Sequence, residues 1–202
     1  PVPDPTLINT VFDKLGKSSG SDCACSGWIN RSLGTQGESS TASGNSVMKF
    51  DNNEPDHIYQ EFEVTPNANY QIEVEVSFKA NAGKSNPASL EFRVLAGTGY
   101  DSGYTPTYYT ETTAFPQDGY GYSSVAQTEV EENNLMTRVL NNPDDTSYIK
   151  YILNFNSGAN NSVALFARGI GGLATGSSDN ERYGYSSGDE EIRIDNLVVT
   201  AL

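Results

Sequence analysis

Tyr70-Gln-Ile-Glu-Val-Glu-Val-Ser-Phe78 decides the fold of this 202-residue chain. Tyr70, Ile72, Val74, Val76 and Phe78 fall on one side of an extended segment, and Gln71, Glu73, Glu75 and Ser77 on the other. Period-two alternation is what a strand needs when one face meets a core and the other meets water. The pattern recurs on both sides of this stretch. Upstream, Asn45 to Phe50 and Ile58 to Val64 predict strands, the latter with Phe62 and Val64 inward. Downstream, Leu90, Phe92 and Val94 turn in while Glu91 and Arg93 turn out. Tyr148 to Phe155 places Ile149, Tyr151, Leu153 and Phe155 inward, and Ser162 to Arg168 and Ile192 to Val198 add two more strands. Only Val125 to Val139 has room for a turn or two of helix, and Asn160-Asn161 reads as a hairpin turn between the penultimate strands. Seven or more strands separated by turn chemistry predict an all-β protein, an antiparallel β-sandwich of the jelly-roll kind.

Composition agrees and narrows the partners. Nineteen Gly and nine Pro suit a loop-rich β protein. Twenty-six acidic residues against twelve basic ones leave a net charge of −14, which argues against nucleic acid and against polyanions as bulk partners. No apolar run is long enough for a membrane span, and no signal peptide is visible. Pro1-Val-Pro-Asp-Pro5 reads as a linker remnant ahead of one domain over residues 6–202. Cys23-Ala-Cys25 is too closely spaced for a zinc site or a redox pair; it is either a strained local clip or two loop thiols.

Two stretches exceed ordinary connections, Ala96 to Ser147 and Gly169 to Asp189. The first, a loop insertion over residues 96–147, carries Tyr100, Tyr104, Tyr108, Tyr109, Tyr120 and Tyr122, half of the twelve tyrosines; the second carries Tyr183 and Tyr185.

The blocks, in order, resemble a known family. Leu7-Ile-Asn-Thr-Val-Phe-Asp13, then Gly27-Trp28, then Gly44-Asn-Ser-Val-Met-Lys-Phe50 is similar to the opening "N-L-I-x-N-G-x-F-E … G-W … G-x-x-S-L-K-V" of carbohydrate-binding modules of the galactose-binding-like β-sandwich group, of the family 4/9/22 type. Gln60-Glu-Phe-Glu-Val-Thr-Pro66 with Tyr70 to Ala80 resembles the family's central "Q-x-F-x-V-x-P-G-x-x-Y" block, and Tyr148 to Phe155 and Ile194-Asp195-Asn196-Leu197 its late strands. Thr10 in place of Gly, the Cys-Ala-Cys segment and the oversized loop depart from it.

The resemblance implies a structural Ca²⁺ where the first and last strands meet, with Asp13 and Asp195 as carboxylate ligands and backbone oxygens near residues 45–49 as further ones. Asp195 is otherwise an awkward residue for a strand, because a buried carboxylate needs a partner. The bland alternative is a solvated Asp13 and an Asp195 that caps a turn. The resemblance also implies a polysaccharide ligand held by aromatic platforms and hydroxyl-binding side chains. Candidates are the loop tyrosines, Arg31 shortly after Trp28, and the outward residues Glu75, Arg93 and Lys150, with Gln71, Glu73, Glu91 and Asn154 beside them. Against this stand core roles for Trp28, Tyr70 and Tyr151 and a merely solvated charge face; His57 reads as a surface or loop residue.

No catalytic constellation is evident: no Ser-hydrolase elbow, no tight carboxylate triplet on one strand, no basic lyase cleft. The expectation is therefore a non-catalytic, monomeric, secreted or cell-surface module. It would bind a neutral glycan of the β-glucan, xylan or mannan type and be linked to a catalytic domain or another surface protein. A lyase or glycosidase with an unfamiliar site, or a protein-binding adhesion domain, are the alternatives.

Overall fold

In a computed structural model, residues 1–13, 27–42, 44–50, 55–79, 87–108, 118–171 and 191–202 are described. They contain β1 (Glu38–Ala42), β2 (Asn45–Phe50), β3 (His57–Glu63), β4 (Asn69–Phe78), β5 (Ser89–Ala96), α1 (Val125–Thr128), β6 (Asn134–Leu140), β7 (Ile149–Asn156), β8 (Ser162–Ile170) and β9 (Ile192–Ala201). The strands form two antiparallel sheets, in the orders β1-β2-β9-β4-β7 and β3-β8-β5-β6. The molecule is the all-β antiparallel sandwich that the alternation predicts.

The core lies between the sheets. The apolar side of β4 (Tyr70, Ile72, Val74, Val76, Phe78), with Ile192, Ile194 and Leu197 of β9, meets Phe62 of β3, Phe92 of β5 and Leu165 of β8. Trp28 is a core residue: it is fully buried, its ring centre lies 5.3 Å from that of Phe12, and its indole N–H donates to the Asn9 carbonyl at 2.9 Å. Tyr70 is fully buried and Tyr151 packs partly buried against the same core.

The opening segment bridges both sheets. The Leu197 N–H donates to the Thr10 carbonyl at 3.1 Å, and the Ala201 N–H to Asp4 Oδ1 at 2.8 Å, on β9. Toward the other sheet, the Ile8 N–H donates to Gln60 Oε1 at 2.8 Å and Gln60 Nε2 returns a bond to the Ile8 carbonyl at 3.1 Å.

Three expectations change, and one strand had no signal in the sequence. The stretch 96–147 contains a strand, β6, paired with β5, and only one turn of helix, α1. β1, a polar edge strand, carries no alternation to announce it. The turn at Asn160-Asn161 is not a hairpin: β7 and β8 lie in different sheets, so the chain crosses the core there. His57 belongs to β3 and is 2 % exposed, with Nδ1 against the Thr35 carbonyl at 2.8 Å. Cys23, Cys25, Tyr109, Tyr183 and Tyr185 lie outside the described residues.

Candidate functional site

The outer faces of the two sheets have opposite fates. On the four-stranded sheet a second apolar layer covers the face. Tyr59 of β3, Leu95 of β5, and Ala164 and Phe166 of β8 pack under Leu33, Tyr120 and Tyr122, with Tyr100 and Val125 alongside. Tyr122 is fully buried and Tyr120 nearly so; the Tyr122 hydroxyl donates to the Ala96 carbonyl at 2.8 Å, and the Tyr100 and Tyr122 rings meet edge to face at 5.6 Å. These tyrosines, expected as ligand platforms, are the inside of a lid. Their rings cover apolar sheet residues, and the Tyr122 and Tyr100 hydroxyls find polar partners in the Ala96 carbonyl and Ser162, as buried tyrosines require.

Beneath that lid lie buried polar groups. Glu61, 8 % exposed, accepts bonds from the Tyr59 hydroxyl, from the Tyr104 hydroxyl at 2.7 Å and from the Gly121 N–H at 2.8 Å. A Cβ on Gly121 would run into the Tyr100 ring, so only glycine lets the chain pass close enough for that bond. Burial first, then the Glu61 charge, pushes the Tyr59 and Tyr100 phenols well above their ordinary range. Glu91 and Arg93, expected to face solvent, join this layer instead. Arg93 Nε donates to Glu91 Oε1 at 2.7 Å, and Arg168, fully buried, bonds Glu91 at 3.0 Å and Glu129 at 2.9 Å. Arg31 stands exposed on a short 3-10 turn whose Leu33 anchors in the lid, so it too lies on the covered side.

The five-stranded sheet is open. Its inner strand β4 sends Gln71, Glu73, Glu75 and Ser77 outward, none of them fully buried, between β7 and β9. The register builds cross-strand rows: Lys150, Glu75 and Asp195; Ile152, Glu73 and Val198; Asn154, Gln71 and Thr200. Lys150 Nζ reaches diagonally to Glu73 Oε2 at 3.0 Å, Gln71 Nε2 donates to Glu73 Oε1 at 2.9 Å, and Asn196 Nδ2 donates to Glu75 Oε2 at 2.8 Å. The Glu73 carboxylate raises the Lys150 ammonium above its ordinary value by hydrogen bond and charge. Ile152 and Val198, 55 % and 49 % exposed, flank Glu73 as apolar patches. Tyr148 stands exposed at the head of β7; partial burial raises its phenol, with Arg193, Asp195 and Glu75 as its charged neighbours. Of the expected ligand residues, the structure thus brings Glu75 and Lys150 together as cross-strand partners. Tyr148, Ile152, Val198 and Asn196 join them unannounced. The signal was available in the outward positions of β7 and β9, read as pairs with β4.

The expected cation site can be tested on the same face. Asp195 is 4 % exposed, and both its oxygens already accept bonds: Oδ2 from Asn45 Nδ2 at 2.6 Å and Oδ1 from the Asn196 N–H at 2.8 Å. Asp13 is exposed, and its backbone carbonyl accepts from Asn9 Nδ2 at 2.9 Å. Among the described residues no three Asp, Glu, His or Cys side chains gather as a metal cluster. The two N–H donors take two of the about four acceptor directions of the Asp195 carboxylate, so the residue is partnered within the chain and keeps oxygens of the kind a Ca²⁺ would use.

No protein-family model matches the chain, and no curated protein matches it in sequence. Solved structures do match. An arabinose-bound GH51 α-L-arabinofuranosidase is 8 % identical, covering 99 % of this chain and 27 % of that one, with a TM-score of 0.53. A CBM22-1–CBM22-2 tandem domain from Paenibacillus barcinonensis Xyn10C is 12 % identical, covering 99 % and 46 %, with a TM-score of 0.49. A CBM4 structure is 10 % identical, covering 87 % and 84 %, with a TM-score of 0.45. At these identities the likeness is one of fold. The chain has the β-sandwich that the sequence resemblance implied.

Proposed function

We propose that the chain is a non-catalytic polysaccharide-binding module and that the open face of the five-stranded sheet holds the glycan. One observation carries the reading: the tyrosine lid closes one sheet, while the other exposes hydrogen-bonding side chains beside small apolar patches and Tyr148. A sugar ring is itself amphipathic, with C–H faces for Ile152, Val198 and Tyr148, and hydroxyls for Glu73, Glu75, Lys150, Gln71 and Asn196. The ion pair and amide bonds already orient these groups, which lowers the entropic cost of using them. Glu73 and Glu75 serve as hydroxyl acceptors rather than as an acid–base pair. The net charge of −14 favours neutral β-glucan, xylan or mannan over polyuronates. The CBM4 and CBM22 names of the fold neighbours support the polysaccharide class. In this reading the module is secreted or at the cell surface, monomeric, and linked to a catalytic domain or another surface protein. No helix among the described residues is long and apolar enough to cross a membrane.

Affinity gel electrophoresis over a polysaccharide panel, with a product assay on each hit, tests the reading. Retardation by a neutral glycan without product is expected. The paired substitutions Glu75→Ala and Lys150→Ala should weaken it at least about tenfold, the loss of a hydrogen-bond's worth of binding free energy. Product release would make the chain an enzyme. Retardation by polyuronate alone would overturn the charge argument.

A further inference from the structure

A second depression lies at the edge of the tyrosine lid and shares no residue with the open face. It is walled by the Pro3–Thr6 stretch and by Glu63–Thr65, with Tyr108 beside it, and holds about 600 Å³. Small-molecule sites are typically about 300–1,000 Å³. A smaller pocket of about 30 Å³, which also borders Tyr108 and Thr6, continues inward to Glu61.

Three features make this a built site. The Tyr108 ring is 40 % exposed at the groove and so presents an aromatic face to it, with the Tyr100 hydroxyl bonded to Ser162 at 2.8 Å behind the lid. A half-exposed ring of this kind offers a stacking face for a sugar's C–H surface. The groove wall is held, at Asp4 by the Ala201 N–H and at Ile8 by Gln60. Finally, among the described residues no Lys or Arg lines either depression, whereas Asp4, Glu63 and Glu61 do. Glu61 spends three acceptor sites on Tyr59, Tyr104 and Gly121, out of about four a carboxylate offers. That leaves about one acceptor site on a carboxylate that lines the smaller pocket.

We infer that this groove is a second glycan subsite, which takes a neutral sugar unit with a C–H face on Tyr108 and hydroxyls donated to Glu63 and, deeper, to Glu61. The acidic lining rejects uronates by like-charge repulsion. The inference rests on the glycan-binding reading but adds a site on a different surface.

Calorimetry on the full chain with neutral cello-, xylo- and manno-oligosaccharides, and a uronate oligosaccharide as control, tests it. Two sites are expected on the wild type for the sugar that retards it in gels. Tyr108→Ala should remove one of them, with its binding weakened at least tenfold, and leave the other. Tyr108→Phe, which keeps the ring, should retain both, and Glu63→Gln should weaken only the site that Tyr108→Ala removes. Circular-dichroism melts show whether each variant is folded. A single site on the wild type that is lost with the Glu75→Ala, Lys150→Ala variant and unchanged by Tyr108→Ala overturns the inference and leaves the open-face reading intact. Binding of the uronate alone at Tyr108 overturns the inference as well. No glycan retained by the wild type in any assay overturns both readings.

Discussion

Asn196 adopts a φ of 49° beside a register shift in the pairing of β9 with β4, and Asp195 next to it stabilises the bend. One carboxylate oxygen takes the Asn196 N–H and the other the Asn45 amide, so the acid ties the irregularity of β9 to β2. Bulges of this kind leave a backbone donor out of the ladder, and a short acidic side chain can supply the missing acceptor. From sequence, the position was legible as an anomaly but not as a solution: an Asp in a strand signals a partner without naming it. Asp195→Ala should cost about 1–3 kcal/mol, because two part-buried N–H donors lose their acceptor. Urea unfolding of both forms would measure the loss. In the same assay EDTA tests the expected metal: a fall in the wild-type midpoint that Ca²⁺ restores would place a cation beside Asp195, and an unchanged midpoint would leave the carboxylate to Asn45 and Asn196.

Strand patterns hold more of the function than the loop tyrosines do. β4 alternates strictly, with polar residues on its outer face, and its outer face is open. β8, Ser162-Val-Ala-Leu-Phe-Ala-Arg-Gly-Ile170, is buried at every position, and so is the whole of its sheet's outer face along it. A strand with Ala164 and Phe166 on one side and Val163 and Leu165 on the other has no face for water. That run predicts a covering layer, and Tyr120 and Tyr122 are the layer. Loop aromatics look alike in sequence whether they lie on a core or stand in solvent, which is why they read as platforms. β1 and β6 escaped notice because edge strands rich in Ser, Thr and exposed residues carry weak periodicity. Arg168 joins β8 to β5 and to the residue that ends α1, through Glu91 and Glu129. Arg168→Ala takes a fully buried cation from Glu91, which keeps only Arg93, and from part-buried Glu129, and should destabilise the protein by about 3–5 kcal/mol. The Glu129→Gln change, at a less buried partner, should cost less. Thermal melts of the two variants order them.

At the scale of the molecule, one side of the sandwich is closed by phenols and the other is left to a ligand. Tyr59, Tyr100 and Tyr122 are all raised above the ordinary phenol value of 10.0, burial being the first cause in each. The fold therefore keeps protons that the unfolded chain releases. The stability this contributes is whole below 10.0 and is lost progressively as pH climbs past it toward the folded values. Fully buried Tyr59 alone contributes about 1.4 kcal/mol of loss per pH unit in that range. Denaturant midpoints should hold from neutral pH to 10.0 and fall beyond it, with the share of tyrosinate absorbance that belongs to the lid phenols appearing only as the lid opens. Midpoints that stay flat above that value would show that the lid phenols are not sealed. What the sequence by itself determined was the sandwich, the inward residues of β4, β5, β7 and β9, and the acidic character that selects among ligands, since each follows from local periodicity and net charge. Which outer face stays open, where Glu91 and Arg93 go, and that Asp195 meets the Asn45 amide were decided only in three dimensions. Those outcomes depend on contacts between residues far apart in the chain, such as Tyr122 on Ala96 or Asn45 on Asp195, and no local pattern encodes them.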